Sequence, residues 1–253
     1  MKCVIISFGL PLSLLAIYSL YSQVQNTNVA PIFIINLLIS DIIQLCCIIV
    51  EIGARLNFVI RDTFFKIYDI GVLASIGFMV CIALERYLVI AWPLWYRFRR
   101  TIKISLVVCV VVWILPLVCV LPQHFLFYID VRDVTFGVFL LVPFPLLIFF
   151  LGGTLKALSA AISVSSDEKR RIVGMLVLVL LIYTLLFIPR IIVLLSNKAQ
   201  SNGDFRRLTE MLLELSPLAD LILYVFIKGT MDKLLASLCC CIMDNNDNNR
   251  SST

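Results

Sequence analysis

The chain has 253 residues, 61% of them hydrophobic and only 15% charged, with a mean hydropathy of +1.04. A soluble domain carries about a quarter charged residues, so this composition excludes a soluble globular enzyme, a disordered chain and a nucleic-acid binder. The 21 Lys and Arg against 16 Asp and Glu leave +5, too mild for a polyanion partner. The apolar residues fall in long blocks, the mark of a polytopic membrane protein.

Crossing a ~30 Å hydrocarbon layer takes roughly 20 mainly apolar residues. Seven such blocks follow in chain order, near 3–22, 30–53, 64–91, 101–122, 134–157, 170–195 and 207–227. Lys2 ahead of the first block imitates a secretory leader. Its full-span length and the poor cleavage sequence Tyr21-Ser22-Gln23 predict a retained helix instead. Short polar joints separate the blocks, none long enough for a domain, and no repeat relates the two halves. Val107–Val112 and Met175–Ile182 do not alternate, which excludes barrel strands. The expected fold is all-α: a seven-transmembrane helix bundle over 1–228, a short amphipathic eighth helix on the membrane surface over 229–241, and a disordered cytoplasmic tail over 242–253. Arg97, Arg99, Arg100, Lys103, Lys169, Arg170 and Arg171 crowd the joints on one side. Positive charge stays inside, so the N-terminus is expected outside the plasma membrane and the C-terminus in the cytoplasm.

Span three closes on Ala83-Leu84-Glu85-Arg86-Tyr87-Leu88-Val89-Ile90-Ala91-Trp92-Pro93-Leu94. Span one holds Gly9-Leu10-Pro11 ahead of Leu15-Ala16-Ile17, and span two holds Asn36-Leu37-Leu38-Ile39-Ser40-Asp41. Trp113 with Pro116 marks span four, Pro145 span five, and Phe187 with Pro189 span six. Span seven ends Asp220-Leu221-Ile222-Leu223-Tyr224, followed by Phe226. On these residues the chain resembles the rhodopsin-like (class A) G-protein-coupled receptors over essentially its whole length. Asp at position 220 places it nearest the nucleotide, protease-activated, lipid and proton-sensing receptors.

The resemblance implies a receptor that passes an extracellular ligand signal to a heterotrimeric G protein by outward movement of helix six. Its partners would be that G protein, an unknown ligand and the lipid bilayer, with no nucleic acid. Glu85, Arg86, Tyr87 and Tyr224 would form the coupling switch, and Tyr183, Phe187 and Pro189 the helix-six hinge. Asp41, Ser75, Ser216 and Asp220 would form a polar cluster that holds either Na+ on Asp41 or a hydrogen-bonded network without an ion; no other cofactor is expected. Polar residues at the outer ends, Glu51, Arg55, Tyr68, Asp69, Arg190, Glu210 and Glu214, are the candidate ligand pocket. There Arg190 meets either an anionic ligand group or an internal carboxylate such as Glu214. Juxtamembrane Cys239, Cys240 and Cys241 are candidates for palmitoylation.

Several positions depart from the family pattern. Ser13 replaces the usual Asn of helix one, Phe187 the Trp of helix six, Leu221 the Pro of helix seven and Gly153 the Tyr of helix five. The disulfide of the family is missing at both ends: Arg61 stands for one Cys, and 123–135 contains none. Ion pairs of Arg61 and Lys66 with Asp130 and Asp133 are expected to order that loop in part. Lys169 replaces the acid at the foot of helix six, which weakens the resting lock and favours basal signalling. Tyr68 takes the place of the amine-binding acid, and no Lys within span seven allows a retinal Schiff base. No nucleophile–base pair suggests an enzyme. Two rival readings remain: a receptor-like chain whose signalling is lost or only constitutive, and a small-molecule transporter, against which the lack of inverted repeats counts.

Overall fold

In lipid, a backbone satisfies its own N–H and C=O groups only by bonding within the segment, and each apolar block of this chain becomes helical. The computed structural model describes residues 2–26, 32–53, 58–92, 102–120, 129–160, 166–196 and 203–226. Every regular element among them is a helix: α1 (Lys2–Asn26), α2 (Ile32–Gly53), α3 (Phe58–Ala91), α4 (Ile102–Val120), α5 (Ile129–Leu141), α6 (Pro143–Ala160), α7 (Ser166–Leu195), α8 (Gly203–Glu214) and α9 (216–226). Six segments among the described residues are long and apolar enough to cross a membrane, α5 and α6 counting together as one. The seventh expected span is α8 with α9, roughly 36 Å of helix at ~1.5 Å per residue. Asp204, Arg206, Arg207, Glu210 and Glu214 make its first half far more polar than the other six.

Two boundaries differ from the sequence expectation. Helix α3 starts at Phe58, so Arg61 and Asp62 are helical rather than part of a joint. The fifth and seventh spans are each broken instead of continuous, at Val142 and Leu215. Pro143 opens α6 at a first-turn position, where its missing N–H costs nothing, while the Val142 N–H still reaches the Val138 carbonyl at 3.1 Å. Pro217 likewise lacks a donor. The chain tightens ahead of it, with Leu215 N–H to the Leu212 carbonyl and Leu218 N–H to the Leu215 carbonyl, both at 3.1 Å, the three-residue spacing of a 3₁₀ turn. Helices α1, α4 and α7 carry Pro11, Pro116 and Pro189 without interruption.

Helix α3 is the axis of the bundle and packs on α2, α4, α6 and α7; α1 lies against α2, and α7 also meets α5, α6 and α8. Leu37, Leu38, Val72, Phe78, Met79, Ile82, Tyr183 and Phe187 form the fully buried centre. On α4, Val107, Val110, Ile114 and Val118 face outward, as a lipid-facing helix requires. Small residues set how closely the helices cross. A Cβ on Gly71 would lie 2.9 Å from Gln44 Cγ, and one on Gly77 2.7 Å from Val112 Cγ1. A polar clasp joins the same three helices. Trp113 Nε1 donates to Asn36 Oδ1 at 3.1 Å, and Asn36 Nδ2 donates to the Ile32 carbonyl at 2.9 Å and to Cys109 Sγ at 3.5 Å. The Trp113 ring meets Phe78 edge-on at 5.8 Å.

Val112 is β-branched and stiff at χ1, so it cannot swing away from an added methyl at Gly77. Gly77→Ala is therefore expected to destabilise by about 1–3 kcal/mol through overpacking, more than the ~1 kcal/mol that alanine gains over glycine in a helix. Thermal melts of the purified chain should show the drop. Adding Val112→Ala in the same chain should restore most of it.

Candidate functional site

Three polar layers follow one another along α3. At the Lys2 end a cavity of about 400 Å³ opens between α1, α2, α3, α5, α7 and α8. Most of the acids and bases in its wall come from helix ends, with Asp69 further along α3. Lys2 Nζ bridges two carboxylates, Glu51 Oε1 at 2.8 Å and Glu214 Oε1 at 3.0 Å. Arg190 Nη1 reaches Glu210 Oε1 at 3.5 Å, and Arg206 Nε meets the same oxygen at 3.1 Å. The expected pairing of Arg190 with Glu214 is thus corrected: Glu210, one turn earlier on α8, takes Arg190, while Glu214 is held by Lys2. The Tyr68 hydroxyl lies within the electrostatic reach of Glu214, Asp69, Arg190 and Glu51, yet it is buried without a hydrogen-bond partner, as are Arg190 Nε and Glu214 Oε2. Phe64, Phe65, Phe136 and Leu213 supply the apolar wall.

All six described candidates, Glu51, Tyr68, Asp69, Arg190, Glu210 and Glu214, line this cavity and are brought together. Arg55 lies outside the described residues. Lys2 and Arg206 are lining residues that sequence pattern did not single out. Lys66 pairs with Asp62 on its own helix at 2.5 Å; the Asp130 and Asp133 side chains, expected to meet Arg61 and Lys66, lie outside the described residues.

Half-way along, Asp41 on α2 and Asp220 on α9 are both fully buried. Their carboxyl groups face each other within hydrogen-bonding reach, but two acceptors cannot satisfy one another, and no donor reaches any of the four oxygens. The Ser216 hydroxyl beside them is unpartnered too, while the Ser75 hydroxyl donates to the Val72 carbonyl at 2.9 Å, leaving its lone pairs available. Ser13 on α1 and Gln44 on α2 are also fully buried and unpartnered. Gln44 follows Asp41 by three residues in the apolar middle of α2, the signal that could have marked it. Facing carboxyl groups in an apolar interior need either a shared proton or a cation between them. The oxygen set fits a small hard cation. Among the described residues no three His, Cys, Asp or Glu side chains converge, so it does not fit a transition metal.

At the other end of α3, Arg86 Nε is buried without a hydrogen-bond partner. The Tyr87 ring stacks on Phe150 at 5.9 Å and meets Phe149 at 6.0 Å. It covers Gly153 so closely that a Cβ there would lie 2.6 Å from Tyr87 Cε2. The room that a tyrosine at 153 would need is filled by the tyrosine of α3. Tyr224 is buried in the core nearby in sequence to Asp220. On α7, the Tyr183 hydroxyl donates to the Leu140 carbonyl beside the Val142 break. Its ring stacks on Phe144 at 6.2 Å and packs on Phe187 at 5.0 Å, two residues before Pro189. Cys3, Cys46, Cys47, Cys81, Cys109 and Cys119 are all unbridged. The surface helix expected at 229–241, its Cys239, Cys240 and Cys241, and the tail lie outside the described residues.

Comparison with known proteins points one way. Residues 13–133 match the family described as "7 transmembrane receptor (rhodopsin family)". The chain is 24% identical to bovine G-protein coupled receptor 68 over 272 aligned positions, which cover 91% of this chain and 74% of the relative. The human protein of that name gives 24% over 270 positions, 91% and 73%. A shorter stretch of 112 residues is 32% identical to mouse Mas-related G-protein coupled receptor member A6, covering 42% and 37%.

Proposed function

We propose, on the match of residues 13–133 to the rhodopsin-family seven-transmembrane receptors and the likeness of nearly the whole chain to G-protein coupled receptor 68, that a ligand in the Lys2-end cavity drives G-protein activation at the Arg86 end. The observation that carries this is the course of one helix. Helix α3 brings Tyr68 and Asp69 to the cavity wall, carries the buried Ser75 at its middle, and takes Arg86 with Tyr87 to the opposite end. A change in cavity occupancy therefore acts on the coupling end through a rigid element.

In this reading the Lys2 end faces outside and the Arg86 end the cytoplasm, in keeping with the basic joints on that side. The moving part is α7. Pro189 leaves the Leu185 carbonyl without its helical donor, a point of easy bending. Tyr183, packed on Phe187, ties the helix to α5 by one hydrogen bond and to α6 by one ring contact, which can be exchanged for another arrangement at small cost. Asp41, Asp220, Ser216 and Ser75 would hold Na+, whose charge would compensate the facing carboxylates and favour the resting bundle. Nothing observed favours a transporter.

The test is guanine-nucleotide exchange on heterotrimeric G proteins by the full chain in lipid nanodiscs. Exchange above that of empty nanodiscs is expected even without added ligand, since Lys169 stands where an acid would reinforce the resting state. A chain that melts cooperatively but promotes no exchange with any G-protein class would reduce the reading to a receptor-like scaffold.

A further inference from the structure

We propose that the Lys2-end cavity is built to take a primary ammonium between Glu51 and Glu214, in the place that Lys2 fills, so that the ligand is a monocation with an apolar body. The inference rests on reading that cavity as the ligand site. One ammonium satisfies acids on two helices at once, at 2.8 and 3.0 Å. Among the described lining residues, with Lys2 in place, the cationic Lys2, Arg61, Arg190 and Arg206 balance the acidic Glu51, Asp69, Glu210 and Glu214. When Lys2 withdraws, one negative charge is left over in a half-buried space, where an uncompensated charge is costly. A cation restores the balance and an anion worsens it.

Two further observations point to an exchangeable occupant rather than a fixed lock. The Lys2 and Glu51 side chains remain 32% and 35% exposed, so the bridge can be reached from solvent. Beside it lie about 400 Å³ of space, within the roughly 300–1,000 Å³ of small-molecule sites. The wall of that space is aromatic on one side, Phe64, Phe65 and Phe136, which suits an apolar body. The Tyr68 hydroxyl and Glu214 Oε2, both buried without partners, stand ready to accept hydrogens from the incoming group. The ammonium is thus held from α2 and α8, with α3 contributing a hydroxyl and not a charge. Lys2 is the built-in competitor. Its tether holds it at an effective concentration of about millimolar order, which sets the threshold a ligand must exceed.

Chemical rescue tests this directly. The full chain carrying Lys2→Ala, purified in nanodiscs, is melted against n-butylammonium, with n-butanol as the neutral match at constant ionic strength. Butylammonium, and not butanol, is expected to raise the melting temperature of Lys2→Ala, with a half-effect concentration about tenfold or more below that of the unaltered chain, where Lys2 competes. Adding Glu214→Gln should remove the response. Should the alanine variant not accumulate, Lys2→Gln takes its place, and should neither accumulate, the preference of the unaltered chain for butylammonium over butanol decides. Equal responses to amine and alcohol, or equal half-effects with and without Lys2, would overturn the proposal. Because the readout is melting and not signalling, its failure is distinguishable from failure of the nucleotide-exchange assay.

Discussion

Replacing Arg86 with alanine is expected to bring nucleotide exchange down to the level of empty nanodiscs, at least about a tenfold loss, or ~1.4 kcal/mol, with unchanged amounts of chain at the cell surface. The guanidinium stands at the far end of the helix that lines the Lys2-end cavity, with Nε buried and unpartnered. An unsatisfied buried donor costs about 1–3 kcal/mol, so removing it should not lower the melting temperature and could raise it. A buried donor left open at a cost to stability suits a partner that arrives later, which in the proposed function is the C-terminal helix of a G protein. Arg86→Lys should recover only part of the activity, since an ammonium lacks the planar fork that pairs with carbonyls and carboxylates in two directions. Undiminished exchange by Arg86→Ala at normal expression would remove Arg86 from the coupling machinery.

Asp41→Asn is expected to have the second-largest effect, and on stability its sign is upward. The new amide can donate to Asp220, turning two facing acceptors into a donor–acceptor pair, and a hydrogen bond to a charged partner contributes about 1.5–3 kcal/mol. The same change should abolish any dependence on sodium. In the unaltered chain, NaCl should raise the melting temperature relative to N-methylglucamine chloride at equal ionic strength. At a concentration about tenfold above the dissociation constant, binding to the folded state alone contributes roughly 1.4 kcal/mol. If both salts act alike, or if the sodium effect survives in Asp41→Asn, the four oxygens hold a shared proton and not an ion.

The bundle and its two chemical ends were legible in the sequence because they rest on one-dimensional signals. Apolar blocks of spanning length located six helices to within a few residues, and isolated acids in apolar runs, Asp41 and Asp220, had to find each other or an ion. The breaks at Val142 and Leu215 were also encoded, in Pro143 and Pro217, but a proline alone does not say whether a helix bends through it, as α7 does at Pro189, or stops. Pairing in the cavity was not legible. Glu210 and Glu214 lie one turn apart on the same helix, so either could meet Arg190 as far as spacing goes. The choice is made by Lys2, which comes from the other end of the chain and claims Glu214. Nor does a glycine at 153 announce that the ring of Tyr87 fills its place. Such substitutions of one side chain's volume by another's exist only in three dimensions.

The clasp of Trp113, Asn36, Cys109 and Phe78, together with the glycine crossings at Gly71 and Gly77, has a consequence for how motion in this molecule can be observed. Helices α2, α3 and α4 are pinned by a saturated amide and by contacts with no slack, whereas α7 leans on exchangeable rings and carries the bending point. The first group is a stator and the second a rotor. A pair of spectroscopic labels both placed on the stator would report a constant distance in every state of the receptor. A label on the stator paired with one near Lys169 on α7 would read the whole stroke, so the static pair calibrates the moving one within the same molecule.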